Sequence, residues 1–215
     1  MDFVYGTLFP FARERARRFL EETWADGDTR ADVAALGQER AKETGEPPGW
    51  REEPASVASY VLWLMDQDRK STSLKSLQGR IWEDGYERGE LRGLVYDDVP
   101  RALERWRRQG SRIAIFSSGS VLAQRLLFAH SSAGDLSGFI DGYFDTTIGP
   151  KREAGSYRKI AAALGLAAGD VLFVSDVGAE SDAAAEAGMA TALALRGDAP
   201  SPSTAHRIVR SFDEL

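Results

Sequence analysis

The sequence predicts an α/β protein, a doubly wound parallel sheet preceded by a helical module. Three observations carry this. Up to about residue 90, apolar residues recur at helical spacing and no strand signal occurs. After Asp97, short apolar runs alternate with helical patterns. Two of those runs stop at Ser117 and Asp176, where open parallel sheets carry their ligand-binding groups.

Each element follows from its pattern. Pro10 suits a first helical turn, and Phe9, Ala12, Ala16, Phe19 and Leu20 mark one apolar face. Val33, Leu36 and Arg40–Ala41 mark a weaker second helix, and residues 44–54 (TGEPPGWREEP) break it. Val57, Tyr60, Val61, Leu64 and Met65 define a third helix; Leu74, Leu77, Ile81 and Trp82 define a fourth. Asp97 and Asp98 are expected to cap a helix bearing Leu103 and Trp106, ended by Gly110. Ile113–Phe116 reads as a strand, Val121–Ala129 as a helix, and Phe139–Phe144 as extended chain. Tyr157, Ile160, Ala161 and Leu164 form a helix stopped by Gly165. VLFVSD (171–176) is a strand, AESDAAAEAG (179–188) a helix and TALALR (191–196) a strand. The tail around His206, Arg207 and Arg210 reads as a solvated helix face. The five Trp read as packing residues. The expected domains are residues 8–90 and 91–215.

Composition narrows the function. The chain has 215 residues, 43% hydrophobic and 28% charged, which excludes wholesale disorder. Absence of Cys excludes disulfides, thiolate metal sites and a Cys nucleophile. Two His make a His-rich metal cage a poor fit. A net charge of −6 favours neither nucleic acid nor an anionic membrane as partner. No apolar run approaches the ~20 residues of a membrane span, and the N-terminus lacks a signal-peptide layout. A cytoplasmic monomer is expected.

Three places could carry chemistry. Ser117-Ser118-Gly119-Ser120 joins a strand to a helix N-terminus, where hydroxyls, N–H groups and the helix dipole can cradle phosphate; equally, Ser120 can cap the helix and Gly119 make the turn. Asp176 at a strand end, with Glu180 four residues on, suits a hard cation; equally, Asp176 can cap the next helix. Lys151 precedes a helix, where a cation opposes the dipole unless an anion or Glu153 offsets it; otherwise it is a solvated loop lysine. Together the three describe a phosphoryl-transfer site.

This arrangement resembles the haloacid dehalogenase superfamily of phosphohydrolases. Ser117, Lys151, Asp176 and Glu180 match its second, third and fourth motifs. The strings DRKSTSLKSLQGRIW (68–82), FSSGSVLAQRLLFAHSSAGDL (116–136), FDTTIGPKREAGSYRKIA (144–161) and FVSDV (173–177) resemble the enolase-phosphatase, or acireductone synthase, family of methionine salvage. The resemblance implies an Mg²⁺-dependent enzyme. It would enolise 2,3-diketo-5-methylthiopentyl-1-phosphate and then release phosphate to give an acireductone. It further implies that Ser117 and Ser118 bind substrate, Lys151 binds its phosphate, Asp176 helps hold Mg²⁺, and residues 8–90 form a cap. It places His130 near the site, and makes Arg69 and Lys70 candidates for substrate contact. The expected partner is a small phosphorylated substrate.

The family's first motif, D-x-E-G-T, supplies the attacking Asp and the proton-handling acid. It does not occur in this chain. In the family it lies shortly before the segment matched here by Phe3-Val4-Tyr5-Gly6-Thr7-Leu8-Phe9-Pro10, and Asp2 is too close to that segment to substitute. No catalytic nucleophile is therefore visible. The strand carrying the motif, central in the family's sheet, is expected to be missing, and the 215-residue form is expected to be inactive. A start assigned too late, at an internal Met, is the expected origin. The alternatives are another phosphohydrolase of the superfamily and a catalytically dead phosphate-ligand binder.

Overall fold

A computed structural model describes residues 3–69, 71–197 and 202–215. Met1, Asp2 and Lys70 lie outside them. The chain divides into two compact units, Met1–Leu94 and Val95–Leu215.

The first unit is helical. A wide π-type turn over Val4–Leu8 runs into α1 (Phe9–Glu22), followed by α2 (Gly27–Arg40), α3 (Pro54–Asp66) and α4 (Thr72–Glu87). Proline sits in the first turn of both α1 and α3, where its missing N–H costs nothing. The face of α1 read from the sequence is buried, with Ala12, Ala16 and Leu20 fully enclosed. α1 packs on α3 and α4, and α2 packs on α4. Gly85 of α4 admits the Phe11 ring, which a Cβ there would meet at 2.5 Å. The Trp82 indole donates to the Leu8 carbonyl at 2.8 Å.

At the start of α4, the Ser71 hydroxyl accepts from the Leu74 N–H at 2.9 Å. Glu39 of α2 accepts from the Ser73 hydroxyl at 2.7 Å and from the Ser71 hydroxyl. Burial pushes the Glu39 carboxyl up, but these hydrogen bonds outweigh it and hold the group below its usual range. Arg69 pairs with Glu43 and lies over the Trp63 ring at 5.8 Å.

The second unit alternates as the sequence predicts. It runs α5 (Asp98–Arg108), β1 (Ala114–Phe116), α6 (Val121–Ala129), β2 (Gly142–Phe144), α7 (Ala154–Leu164), β3 (Leu172–Ser175), α8 (Gly178–Glu186), β4 (Ala190–Ala194) and β5 (Arg207–Val209). Every strand pair is parallel. β1 pairs with β2 in the register Ile115 to Tyr143, β3 with β4 in the register Phe173 to Thr191, and β4 with β5 in the register Leu193 to Ile208. The strands form two sheets, β1-β2 and β3-β4-β5. Among the described residues no strand joins β1 to β3. Under them, α7 and α8 share a core of Ala154, Tyr157, Ala161, Ala183, Ala184, Ala187 and Met189, on which Phe116 and Phe173 pack. Gly165, at φ 67°, ends α7 in the left-handed conformation that glycine adopts without strain.

Two expectations are corrected. The His206–Arg210 tail is not a helix face: Arg207–Val209 is an edge strand, and its three residues were too few to show a period. The His206 side chain is buried, with its ring nitrogens 2.7 Å from the Thr191 hydroxyl and 2.9 Å from the Asp182 carboxylate. Nor do Asp97 and Asp98 cap α5, whose N-terminus has no side-chain cap. Asp98 instead bonds Arg196 at 2.6 Å, the Ser211 hydroxyl at 3.0 Å and the Phe212 N–H at 2.5 Å. Its burial opposes ionisation, but these donors hold its carboxyl below the usual range.

Candidate active site

The carboxyl ends of β1 and β3 bring the candidate residues together. After β1, the Ser117 Oγ accepts from the Gly119 N–H at 3.1 Å, closing the turn. Ser120 caps α6, its Oγ accepting from the Ala123 N–H at 3.2 Å. Ser118 between them is exposed and has no hydrogen-bond partner among the described residues. Capping thus belongs to Ser120, which leaves the Ser118 hydroxyl available to a ligand.

Lys151 lies in the turn before α7, and that turn is pinned. The Ser156 hydroxyl donates to the Pro150 carbonyl at 2.7 Å, and the Tyr157 hydroxyl to the Lys151 carbonyl at 2.6 Å. Gly149, at φ 146°, lies where a Cβ would meet the Ser156 hydroxyl at 2.3 Å. The Lys151 ammonium sits 2.7 Å from Glu180 and 5.7 Å from the Phe116 ring centroid, beside the Ser117 turn. Its counter-ion is therefore Glu180 of α8, while Glu153 is exposed.

Ser175 orders the end of β3. Its hydroxyl donates to Glu180 at 2.9 Å and accepts from the Val177 N–H at 3.1 Å. Asp176 does not cap α8, whose N-cap residue is Val177. The Asp176 carboxylate is exposed and has no partner among the described residues. A third strand-end acid, Asp145, accepts from the Thr147 N–H at 2.9 Å and hydroxyl at 2.6 Å.

A hard divalent cation fits one of these groups. Asp176 offers a free carboxylate, and Mg²⁺ is commonly held by one or two carboxylates with its remaining positions filled by water. Glu180 is taken by Lys151 and Ser175. No group of three or more His, Asp or Glu among the described residues could form an all-protein cage.

His130 is the C-cap of α6, a nine-residue helix, and so lies about 13 Å along that helix from its Ser120 end. The sequence reading missed Gln124, which secures the cradle. Its amide nitrogen donates to the Gly119 and Phe144 carbonyls, each at 2.9 Å, tying the turn to the end of β2. Its signal was a polar residue on the buried face of an apolar helix. The Tyr157 hydroxyl was missed too, because the ring had already been accounted for as core. Burial and the nearby Glu180 push that phenol up, so it stays protonated.

Known proteins resemble this chain over its whole length. Residues 4–188 match the family model of haloacid dehalogenase-like hydrolases. The chain is 54% identical over 218 residues to an enolase-phosphatase E1 from Synechococcus elongatus, covering 100% of this chain and 92% of that protein. It is 48% identical to one from Sorangium cellulosum, covering 99% and 90%. The crystal structure of the UTR4 protein of Saccharomyces cerevisiae superposes with a TM-score of 0.81 at 35% identity, covering 100% of this chain and 93% of that one. The chain therefore belongs to the haloacid dehalogenase-like hydrolases and, within them, to the enolase-phosphatases.

Proposed function

We propose that the chain serves the reaction its resemblance implies: enolisation of 2,3-diketo-5-methylthiopentyl-1-phosphate and release of its phosphate in methionine salvage. The observation that supports this most is the pinned Lys151 ammonium, held beside the Ser117–Ser120 turn by Glu180. An incoming phosphate would meet Lys151, the Ser118 hydroxyl and the N–H groups opening α6. Glu180 would then orient Lys151 through one oxygen and Ser175 through its hydroxyl. Gln124 would keep the turn in place while the phosphate charge redistributes. Asp176 would hold Mg²⁺, which when bound supplies Lewis-acid stabilisation of the phosphate oxygens. In this reading, residues 8–90 are the cap that selects the substrate, and the chain acts as a soluble monomer.

A second reading, a phosphate-ligand binder without turnover, is favoured by one observation. Of the acids at the β2 and β3 ends, Asp145 is held by Thr147 and Glu180 by Lys151, so Asp176 alone is free among the described residues. Phosphate release from the diketone phosphate with Mg²⁺, beside calorimetric titration of the same compound, separates the two. Release faster than from a generic sugar phosphate, and lost in Lys151→Ala, supports the enzyme. Tight, Lys151-dependent binding without release supports the binder. Neither binding nor release overturns both.

A further inference from the structure

We propose that the cleft between α6 and the start of β2 is a binding site for a small monocarboxylate with a short apolar body, held by Arg125 and Tyr143. The site is distinct from the Ser117–Ser120 turn, which meets the last residue of β2, and it does not rest on the hydrolase reading.

The cleft has a volume of about 340 Å³, within the range of small-molecule sites. α6 gives it Arg125 and Ala129, the turn before β2 gives Ser137 and Ile140, and the start of β2 gives Asp141 and Tyr143. These elements are fastened to one another. The Gln124 amide donates to the Phe144 carbonyl at 2.9 Å, and these two residues are the chain neighbours of Arg125 and Tyr143. The Leu136 N–H donates to the Phe128 carbonyl at 2.8 Å, which ties the turn to α6. The Phe128 ring packs on Tyr143 with centroids 6.4 Å apart. Walls held in this way are set before a ligand arrives, which lowers the ordering cost of binding.

The polar groups of the cleft decide the ligand's charge. Asp141 is already consumed: its carboxylate accepts two bonds from Arg107, at 2.8 and 2.9 Å, and one from the Ile113 N–H at 2.7 Å. The Ser137 hydroxyl donates to Asp135 at 2.6 Å. Arg125 is exposed, lies over the Tyr143 ring at 5.0 Å, and has no ion pair or hydrogen bond among the described residues. The Tyr143 hydroxyl is enclosed and has no partner among them either, a costly state for a buried donor. Burial pushes this phenol up, so it keeps its proton. An unpaired cation beside an unpaired donor is complemented by an anion that only accepts. A carboxylate offers one oxygen to the guanidinium fork and the other to the phenol. An exposed arginine changes rotamer within nanoseconds, so Arg125 can turn aside to admit the anion to the hydroxyl. Ala129 and Ile140 supply the apolar wall, which favours a short aliphatic body over a bare inorganic ion.

The test is titration of the full 215-residue chain with isocaproate, followed by amide NMR and calorimetry. Saturable shifts are expected at Arg125, Ile140 and Tyr143, with a dissociation constant of about 1 mM. The uncharged isocaproamide should bind at least about tenfold more weakly, because it forfeits the charge-assisted bond. Arg125→Gln should weaken isocaproate about tenfold and Tyr143→Phe about fivefold. Tyr143→Phe should keep the native urea midpoint, since its hydroxyl has no protein partner to lose. Equal binding of acid and amide overturns the proposal, as does unchanged affinity in Arg125→Gln. Absence of saturable shifts at ten times the expected constant overturns it too. Shifts centred on Ser118 and Lys151, and abolished by inorganic phosphate, also overturn it and assign the acid to the Ser117–Ser120 turn.

Discussion

Replacing Lys151 by Ala separates a phosphate ligand from a structural partner of Glu180. In the native chain the two charges are 2.7 Å apart, with the side chains 23% and 10% exposed. Removing the ammonium leaves the Glu180 carboxylate with the Ser175 hydroxyl at 2.9 Å as its remaining partner. Breaking a fully buried pair costs about 3–5 kcal/mol. Because a quarter of the lysine is exposed, water can replace part of the loss, which lowers the expected cost to about 1–3 kcal/mol. Urea unfolding measures this. Isothermal titration with inorganic phosphate measures the other role, with affinity expected to fall by about 10²-fold, as for a lost oxyanion-stabilising donor. The double variant Lys151→Ala/Glu180→Gln removes the orphaned charge. It should recover most of the stability and none of the phosphate affinity. Lys159→Ala, at an exposed lysine whose described bond is to the Ile148 carbonyl at 3.1 Å, should change either quantity by no more than about 0.5 kcal/mol. Phosphate affinity that returns together with stability in the double variant would refute the reasoning, as would equal behaviour of Lys151→Ala and Lys159→Ala.

Asp176→Asn should weaken Mg²⁺ binding at least tenfold in calorimetric titration while leaving the urea midpoint unchanged, because the carboxylate is exposed and free. A lower midpoint with unaltered Mg²⁺ affinity would make it a structural residue. Asp98 and Asp141 ionise more readily in the fold than in the unfolded chain; the Asp141 shift is led by its bond from the Ile113 N–H. A lowered folded value means stability that is complete above the unfolded value, about 3.9, and lost as pH falls through the folded ones. The urea midpoint should thus hold from pH 7 to about pH 5 and drop below pH 4, by less in Asp98→Asn, which lacks one of the contributing groups, Glu39 being another. Gly85→Ala should cost about 1–3 kcal/mol by forcing the Phe11 ring aside, read from thermal unfolding of the intact chain.

What the sequence made legible divides along physical lines. Helices with a single buried face, such as α1 with Ala12, Ala16, Phe19 and Leu20, showed in the spacing because one neighbour-facing stripe must be apolar. The strand ends at Ser117 and Asp176 showed because an apolar run stopped at a reactive group. β5 did not: an edge strand of three residues buries one side chain fully, Val209, too little for a pattern. The identities of Lys151, Ser118 and Asp176 pointed to the proposed phosphate site, but their partners were hidden. Glu180 was read only as the acid that accompanies Asp176, and the fold sets it 2.7 Å from the Lys151 ammonium. Gln124 and Tyr157 were obscured because their work is done through backbone carbonyls, which no sequence spells. Asp98 looked like a helix cap until its donors proved to come from residues 196–212.

That last contact joins the beginning and end of the α/β unit. Asp98 holds Arg196, Ser211 and Phe212, while Arg105 donates to the Phe212 carbonyl at 2.6 Å and to the Leu215 carbonyl at 3.0 Å. The unit is therefore close to a ring whose first and last segments, residues 98–105 and 211–215, are clasped side by side. Such a body tolerates being reopened elsewhere. A circular permutant linking Leu215 to Val95 through a few glycines and cut at the exposed 133–135 loop would keep all of these bonds. Under tension the clasp carries the load first, so a force applied through the two ends meets Arg196 and Arg105 before it reaches any strand.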